Sequence, residues 1–476
     1  MAKQALTILH TNDLHSRFET WPALARLVRE RRRELELAGE SVLLLDAGDH
    51  LDFSNTVTYA TGGRVNVRLM ENLGYHAFTP GNNETIRQPL AGLTSLASLS
   101  RVPWLAANLS QPQESEPLPG LPPFATVQFS WLKVGIVGVT VLFERIFPYL
   151  GIGWRDTHEA VRKAVVCLRA QGCQVVVALS HLGLDNDRAL AASGLGLDVI
   201  VGGHSHHALE PPEVVAGVPI VQAGSHGRFL GETRLGLELE PVNNGRWRVA
   251  EVLERLLPVD PGTPGDSASQ EVLEEGRREA EVRLAEVIAR LSTPLPHEMT
   301  GRSPLAELVA ESLRQRWQAD IGLVNGGAMI GGLVAGPVTR QDILDSFPSL
   351  VNPGLLEILG RDLLRLLEES EDSRYASKEV WGVGLRGDGV VLGRVFAAGL
   401  TWDVDAEAPA GGRVRSARVG GEALDPSRWY RAGACTLLAI PQVAYELPGR
   451  VRVLDRLWPD LVRDVFTEWL SSHYPP

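Results

Sequence analysis

The sequence predicts an α/β protein of two units, and three observations lead to this prediction. Over the first 260 residues, short apolar runs of strand length alternate with stretches that carry apolar residues at helical spacing. A segment rich in proline and glycine, 258–265 (PVDPGTPG), then interrupts this alternation. The length of 476 residues also exceeds one ordinary domain, since a domain has about 150 residues.

The first unit is predicted to be a sheet covered by helices. Its buried strands are expected where the apolar runs lie, at 4–9, 41–46, 102–107, 175–180 and 198–202. Helical spacing predicts two helices, at 22–38 and 157–171. The pattern of 124–141 is typical of a hairpin, and strands dominate the prediction for 214–256.

The charged stretch 267–291 is predicted to form one long solvated helix, because it lies between two segments that break secondary structure. We therefore place a first domain at 1–260, a linker helix within 261–295 and a second, mixed α/β domain at 296–476. The second domain is expected to open with a helix at 304–318 and a strand at 320–324.

Composition and charge exclude several classes of protein. With 44% hydrophobic and 22% charged residues, the chain is neither disordered nor collagen-like. A formal net charge of −12 argues against binding to a nucleic-acid polymer, since no basic field offsets phosphate repulsion. The 3 cysteines cannot form a disulfide framework. The N-terminus has no pattern of a signal peptide and no apolar run spans a membrane, so a cytoplasmic protein without membrane contact is expected.

Five short polar motifs follow strands of the first unit. Because α/β proteins build their sites from loops at the carboxyl ends of strands, these motifs are expected to meet. A single histidine after a strand is more often structural, and an aspartate such as Asp49 is often only a helix cap. The motifs are Asp13-Leu14-His15, Gly48-Asp49, Gly81-Asn82-Asn83-Glu84, Ser180-His181 and Gly203-His204-Ser205-His206.

Taken together, the motifs predict a metal centre. Mixed carboxylate and imidazole ligands suit divalent zinc, manganese, iron or cobalt. Seven or eight such ligands exceed the needs of one ion, so we predict two divalent ions as cofactors.

This ordered set of motifs resembles the calcineurin-like metallophosphoesterases. The opening HTNDLHSRFE is similar to the 5′-nucleotidase branch of that family. The segments 305–327 (LAELVAESLRQRWQADIGLVNGG) and 222–231 (QAGSHGRFLG) are similar to segments of the nucleotidase-like members. The resemblance covers nearly the whole chain and implies an αββα sandwich followed by a second, mixed α/β substrate domain.

The resemblance also implies two half-sites. The first ion is expected to be held by Asp13, His15 and His206. The second is expected to be held by Asn82, His181 and His204, with Asp49 bridging the two ions. A metal-bound water or hydroxide would then attack the phosphoester.

The sequence departs from the family at the third motif. Asn83 stands where the family has a catalytic histidine, and Ile86 stands where an aspartate usually supports that histidine. We keep Asn83 as the candidate catalytic residue, although an amide cannot deliver a proton to the leaving group. His50 and His226 are possible substitutes, with a structural or surface role preferred for each.

The substrate residues of the second domain match the family less completely. The resemblance implies substrate contacts by Asn325, Gly326 and Gly327, and places Phe347 in the region of a base-stacking ring. Ile330 occupies the position of a family arginine, and Tyr445 is the aromatic residue nearest to the second stacking position.

The predicted function is hydrolysis of a small-molecule phosphoester, a nucleotide, by a 5′-nucleotidase-like phosphomonoesterase. Within enzymes, the alternative is a cyclic-nucleotide phosphodiesterase or a nucleotide-sugar pyrophosphatase. An alternative of another class is a nucleotide-binding or regulatory protein with impaired catalysis, which Asn83, Ile86 and Ile330 favour. The complete set of ligands favours the enzyme.

Overall fold

A computed structural model describes residues 3–112, 116–240, 246–379, 390–439, 451–457 and 459–476. The chain divides into two compact units, Met1–Ala280 and Glu281–Pro476. This division lies within the segment 261–295 to which the sequence assigns the linker. Tyr445 lies outside the described residues.

The first unit mixes strands and helices up to α8 and β9 and is then mainly β. Its strands are β1 (Lys3–Thr11), β2 (Ser41–Asp46), β3 (Ala77–Phe78), β4 (Leu109–Ser110), β5 (Phe124–Gln128), β6 (Lys133–Thr140), β7 (Gly153–Trp154), β8 (Val175–His181), β9 (Val199–Gly202), β10 (Glu213–Val215), β11 (Val218–Val221), β12 (Phe229–Glu240) and β13 (Arg246–Pro258). Its helices are α1 (Trp21–Leu37), α2 (Thr56–Thr61), α3 (Arg64–Leu73), α4 (Asn82–Ile86), α5 (Leu90–Leu99), α6 (Phe147–Leu150), α7 (Thr157–Ala170), α8 (Leu184–Ala192) and α9 (Ser267–Leu284).

Two sheets pack face to face in this unit, as the αββα prediction requires. Their strand orders are β13-β12-β1-β2-β3 and β10-β11-β9-β8-β6-β5. Apolar side chains of β1 and β2, such as Ile8 and Leu43, form one core cluster with Val177 of β8 and Val201 of β9. Helices α7 and α8 pack on the outer face of the second sheet, and α1 packs on the first.

The topology brings the ends of five strands into two sets of parallel neighbours. β1, β2 and β3 pair in parallel in the first sheet. β8 and β9 pair in parallel in the second sheet. The carboxyl ends of parallel neighbours lie at the same edge of a sheet. Each of the five motifs lies at or just after the end of one of these strands.

The described part of the second unit contains a five-stranded mixed sheet, a two-stranded sheet and a three-stranded sheet. Its strands are β14 (Val287–Leu291), β15 (Ile321–Asn325), β16 (Gly336–Thr339), β17 (Pro353–Leu359), β18 (Val395–Ala398), β19 (Leu400–Val404), β20 (Val414–Val419), β21 (Glu422–Ala423), β22 (Trp429–Cys435) and β23 (Arg452–Arg456). Its helices are α10 (Pro304–Arg316), α11 (Arg340–Ser346), α12 (Gly360–Ser370), α13 (Ser373–Ala376) and α14 (Val462–His473). The main sheet has the order β18-β15-β22-β17-β23, and α10 packs against β15, β18 and β22.

Two predicted elements differ from the structure. Residues 102–107 do not form a strand, because only Trp104 makes a bridge, to Phe78, while neighbouring backbone groups bond to the loop at Pro122 and to β6. The prediction of one helix over 267–291 is also wrong in its extent, because α9 ends at Leu284 and the chain continues as β14, paired with β16.

α9 is not a solvated connector either. It buries a stripe of residues at helical spacing, among them Leu273 and Ala280, and at Gly276 it approaches Val65 of α3 closely. Within the described parts of the chain, no helix is both long and apolar enough to span a membrane.

Candidate metal centre

The loops after β1, β2 and β8 bring two carboxylates and one imidazole together in the interior. Asp13, Asp49 and His181 are each at most 2% exposed. Nε2 of His181 lies 3.4 Å from Oδ1 of Asp49 and 4.0 Å from Oδ1 of Asp13. One ligand atom from each of these residues lies within 4.8 Å of the others, which is the spacing of a metal-binding group.

A second group shares Asp13 and lies nearer to solvent. His206 places its Nε2 3.2 Å from Oδ1 of Asp13 and 3.2 Å from Nε2 of His15. The side chain of His206 is 41% exposed, whereas that of His15 is 15% exposed. Asp13 thus has ligand-type neighbours on two sides, one group buried and the other accessible.

Asn82 and His204, the remaining predicted ligands, border the buried group. Oδ1 of Asn82 is buried and has no hydrogen-bond partner among the described residues. The ring of His204 lies 5.1 Å from that of His181, measured between centroids. The backbone N–H of His204 donates to Oδ2 of Asp13 at 2.9 Å. His204 is therefore tied to Asp13 through its main chain, which leaves its ring free for another contact.

The backbone is strained at five of these positions. Asp13, His15, Asp49, His204 and His206 all have φ between 49° and 73°, a region that residues with a side chain rarely occupy. Each such residue costs of order 1–3 kcal/mol, and strain of this kind collects where a ligand site over-determines the geometry.

Glycine allows the loops to approach each other. A methyl group on Gly81 would lie 2.2 Å from Oδ1 of Asp49, and one on Gly48 would lie 2.7 Å from Nδ1 of His181. Any larger residue at these two positions would displace a predicted ligand, so the two glycines follow from the closeness of the ligand loops.

The charges of the buried group are strongly coupled. Burial alone would raise the pKa of Asp49, but the neighbouring His181 and His15 hold that pKa down at about 2. Burial alone would lower the pKa of His181, but the carboxylates of Asp49 and Asp13 raise it to about 10. Two buried carboxylates therefore need positive charge beside them, which a protonated His181 or a metal ion can supply.

The donor set fits divalent metal ions. Nε2 of His181 and Oδ1 of Asn82 are buried and unbonded among the described residues, and both atoms are ordinary metal ligands. Nδ1 of His181 lies 2.6 Å from the carbonyl oxygen of Ala47. Because this contact places the ring proton on Nδ1, it leaves the lone pair of Nε2 for a metal.

Two protein families match parts of this chain. The family described as calcineurin-like phosphoesterase matches residues 6–208. The family described as 5′-nucleotidase, C-terminal domain, matches residues 285–435.

Residues 6–208 therefore form a calcineurin-like phosphoesterase domain, and residues 285–435 form a 5′-nucleotidase C-terminal domain.

Two relatives match most or all of this phosphoesterase. An uncharacterized metallophosphoesterase, YunD of Bacillus subtilis, is 29% identical over 99% of this chain and 100% of its own length. A 5′-nucleotidase of Vibrio vulnificus is 26% identical over 76% of this chain and 75% of its own length. The two matched families and these relatives make the chain a metal-dependent phosphoester hydrolase.

A solved structure matches the fold as well. The crystal structure of a 5′-nucleotidase precursor from Thermus thermophilus superimposes with a TM-score of 0.56 at 23% identity. The superposition covers 99% of this chain and 97% of that chain. The two-unit α/β architecture expected from the sequence is confirmed by this likeness.

Asn83 lies in the phosphoesterase's site but faces a ligand. Nδ2 of its side chain lies 2.9 Å from Nδ1 of His15 and donates to the carbonyl oxygen of Leu51 at 2.9 Å. Its backbone N–H donates to Oδ1 of Asp49 at 2.8 Å. Asn83 therefore orients His15 and Asp49, and its role as a catalytic residue stays a prediction.

The two substitute histidines differ in position. The ring of His226 lies 5.4 Å from His15 and 5.9 Å from His206, so this residue borders the accessible group. His50 is 1% exposed and packs edge-on against Trp21 at 5.1 Å. Burial lowers the pKa of His50 to about 3, so its ring stays neutral in the core.

Two supporting residues did not figure among the predicted site residues. Asn12 donates to Oδ2 of Asp13 and to the carbonyl oxygen of Gly224, both at 2.6 Å. Glu84 accepts backbone N–H groups from Asp49, Leu51 and Gly81. Glu84 lies inside the third motif and Asn12 directly precedes the first, but only the folded loops reveal which groups they hold.

The predicted substrate residues of the second unit lie in its interior. Asn325 is fully buried, and its Nδ2 donates to the carbonyl oxygen of Leu392 at 2.8 Å. Gly326 and Gly327 form a 3₁₀ turn whose N–H groups bond to Arg394 and Leu392.

The stacking role of Phe347 needs correction. Its side chain is 2% exposed, and its ring lies 5.4 Å from that of Phe466 in the hydrophobic core. Because the ring packs against Phe466 and is almost completely buried, it has no free face on which a base could stack. We therefore assign Phe347 to the hydrophobic core.

Proposed function

We propose that this phosphoesterase is a 5′-nucleotidase-like phosphomonoesterase that works with two divalent ions. The position of Asp49 carries the proposal. Its Oδ2 lies 3.9 Å from Nε2 of His15, and its Oδ1 lies 3.4 Å from Nε2 of His181. A carboxylate that faces one imidazole with each oxygen is suited to bridge two ions.

The ligand sets follow from the two groups around Asp13. Asp13, His15 and His206 would hold one ion, and Asn82, His181 and His204 would hold the other, with Asp49 shared. Manganese, zinc, iron and cobalt all suit this mixture of imidazole, amide and carboxylate groups. Bound divalent ions supply Lewis-acid stabilisation of phosphoryl charge and a nucleophile at neutral pH.

The residues of the chain hold this arrangement rigid. Asn12 and the main chain of His204 fix Asp13, and Asn83 fixes His15 and Asp49. The exposed side chain of His206 leaves one side of the accessible group open to solvent, where a phosphoester can approach. Such preorganised groups need no rearrangement when charge develops on the phosphoryl oxygens.

A nucleotide substrate is supported by the second unit. Residues 285–435 match the C-terminal domain of 5′-nucleotidases, and relatives such as the Vibrio vulnificus protein carry that name. Because Asn83 cannot deliver a proton, esters whose leaving group needs none should be hydrolysed fastest.

Metal content tests the two-ion proposal. Elemental analysis of the purified protein should find two divalent ions per chain. Asp49→Ala should lose both ions, whereas His206→Ala should lose mainly one. His207→Ala is the matched control, because this neighbouring histidine is exposed and bonds to Ser205 rather than to a predicted ligand. One tightly bound ion that survives Asp49→Ala would contradict the proposal.

A hydrolysis screen tests the substrate class. We expect kcat/KM to be highest for an aryl phosphate, lower for AMP and lowest for cyclic nucleotides and nucleotide sugars. A phosphodiesterase or pyrophosphatase would reverse the last two ranks. A protein that binds nucleotides and hydrolyses none of these esters after reconstitution with each metal would support the regulatory alternative.

A further inference from the structure

A cavity of about 540 Å³ lies in the first unit beside the metal centre. It is open to solvent and is lined by the loop after β6, by the start of α7 and by α8. Leu182, one of its lining residues, directly follows the predicted ligand His181. A volume of this size is typical of sites that bind a small molecule.

One wall of the cavity is a fixed aromatic ring. Trp154 is 36% exposed, although its backbone is held in β7 by pairing with β4. Its ring lies 6.2 Å from that of Phe147, which is fully buried. A large ring that is held from behind and open in front offers a face on which a planar ligand can stack.

The next residue, Arg155, adds a cationic side chain to the lining of the same cavity. The backbone N–H of Arg155 donates to the carbonyl oxygen of Asn108 at 3.0 Å, which fixes the start of its side chain. Nη2 of its guanidinium is buried and has no hydrogen-bond partner in the part of the chain that the structure describes. Since Arg155 lines the cavity and its guanidinium has no ion-pair partner among the described residues, an acceptor brought by a ligand can pair with it.

The two acidic residues of the lining do not neutralise Arg155. Asp156 accepts the backbone N–H of Glu159 at 2.8 Å and caps α7. Glu144 is exposed to solvent, where its charge is screened. Because a guanidinium binds phosphate and carboxylate in preference to neutral groups, the acceptor is expected to be an anion.

We propose that this cavity is a second ligand site, in which Trp154 stacks on a planar ring and Arg155 binds an anionic group, the chemistry of a nucleoside phosphate. The site is separate from the metal ligands, and its binding requires neither metal nor hydrolysis. This proposal therefore goes beyond the proposed function and can be tested independently of it.

Fluorine NMR of the full-length protein labelled with 5-fluorotryptophan tests the site directly. The chain has 11 tryptophans, and Trp154→Phe identifies the resonance of Trp154 by its disappearance. The probe is the phosphonate analogue of AMP, whose P–C bond is not hydrolysed. We expect the Trp154 resonance to shift saturably with the probe, both in the wild type and in Asp49→Ala.

The variants of Arg155 assign the anionic contact. Arg155→Gln should raise the probe concentration for half-maximal shift about tenfold or more, because a charge-assisted pair is lost. Arg155→Lys should lose less, and Arg145→Gln, an exposed arginine outside the cavity, should change nothing. Adenosine should bind more weakly and respond less than twofold to Arg155→Gln.

Three results would overturn the proposal. The first is a Trp154 resonance that does not move at a millimolar concentration of the probe. The second is a shift that disappears in Asp49→Ala but persists in Arg155→Gln. The third is an Arg155→Gln variant in which the binding of adenosine is weakened as much as the binding of the probe. The second result would place the ligand at the metal centre, and the third would make Arg155 a structural residue.

Discussion

The ligand loops of the first unit and the glycine-rich turn of the second unit both follow a buried strand, yet their backbones differ in kind. Asp13 after β1 and Asp49 after β2 have φ of 52° and 51°. Asn325, at the end of β15, has an ordinary φ of −89°, and the N–H groups of Gly326 and Gly327 after it are bonded to neighbouring carbonyl groups.

The side chains differ in the same way. In the first unit, two carboxylates and several imidazoles are held within a few ångströms of one another, as the 3.4 Å between His181 and Asp49 illustrates. In the second unit, a methyl group on Gly326 would lie 2.1 Å from the carbonyl oxygen of Met299. The glycines there serve close packing of backbone on backbone.

The difference separates a site from a scaffold. Backbone strain combined with unpaired buried ligand atoms has no structural benefit, so it marks a place where a bound ion completes the interactions. A bonded turn in a packed core is stable by itself. Oδ1 of Asn325 is also buried without a hydrogen-bond partner among the described residues, but no strained backbone accompanies it. By this combined criterion the metal centre is a site and the turn 325–327 is scaffold.

The largest expected effect tests the scaffold side of this comparison. Phe347→Ala removes a ring that is 2% exposed, and such truncations cost about 3–5 kcal/mol of stability. We expect urea unfolding to show this loss, while KM for AMP at low temperature stays within about twofold of the wild type.

Two further variants keep that test decisive. Phe347→Leu, which preserves most of the apolar volume, should fold with a loss of about 1.5 kcal/mol or less. Val334→Ala is the control, since Val334 is 69% exposed and its truncation should change stability by no more than about 0.5 kcal/mol. A tenfold rise in KM for Phe347→Leu without loss of stability would restore Phe347 as a substrate residue.

The second test concerns the close approach of the ligand loops. Gly81→Ala forces a methyl group to 2.2 Å from Oδ1 of Asp49, and overpacking of this kind costs about 1–3 kcal/mol. We expect Asp49 to move, so that the metal content of the purified protein falls. Gly331→Ala is the matched control, because a methyl group at Gly331 meets no atom within 4 Å. Unchanged metal content in Gly81→Ala would show that Asp49 does not hold the ions.

The sequence predicted the site better than its surroundings, for a physical reason. The motifs lie at or just after strand ends, and the ends of parallel strands share an edge, so local pattern was enough to group Asp13 with Asp49 in one sheet and His181 with His204 in the other. The packing of the two sheets then brings the two groups together. The contacts of Asn83 with His15 could not be predicted, because they depend on the rotation of a single side chain in α4.

Elsewhere, local pattern was not enough. The apolar run 102–107 has the composition of a strand, but tertiary contacts of Trp104 and its neighbours decide its backbone. The resemblance to family sequences puts Phe347 in the region of a base-stacking ring but says nothing about the orientation of its side chain. Only the packing against Phe466 shows which way the ring points.

A smaller effect is expected from the residue that orients a ligand. Asn83→Ala removes both side-chain contacts, to His15 and to Leu51, but leaves every predicted ligand in place. Loss of such an outer partner typically weakens metal affinity about 10–100-fold. Competition with a chelator should detect this change, and Asn83→His should restore part of the affinity if orientation of His15 is what matters. Equal affinity in Asn83→Ala would limit Asn83 to contacts with substrate.

The smallest expected effect is a change in how the free energy of unfolding depends on pH, caused by a buried histidine of the first unit outside the metal centre. Nδ1 of His76 accepts the backbone N–H of Leu44 at 2.9 Å, away from the predicted ligands. Burial, helped by the charge of Arg32, lowers the pKa of His76 from its ordinary 6.5 to about 4. Between these two pH values the unfolded chain binds a proton that the folded chain does not, so stability is lost as pH falls from about 6.5 toward about 4. His76→Asn keeps an acceptor for Leu44 but cannot titrate. Its unfolding free energy should fall less than that of the wild type over this range, with a difference of at most about 1.4 kcal/mol per pH unit.

Urea unfolding of both proteins at pH 7 and pH 5 measures this difference. Because both proteins share any effect of metal release, that effect cancels in the difference. The exposed His207→Asn serves as the control and should follow the wild type. Parallel losses in the wild type and His76→Asn would show that groups other than His76, such as the buried His50, carry the acid sensitivity.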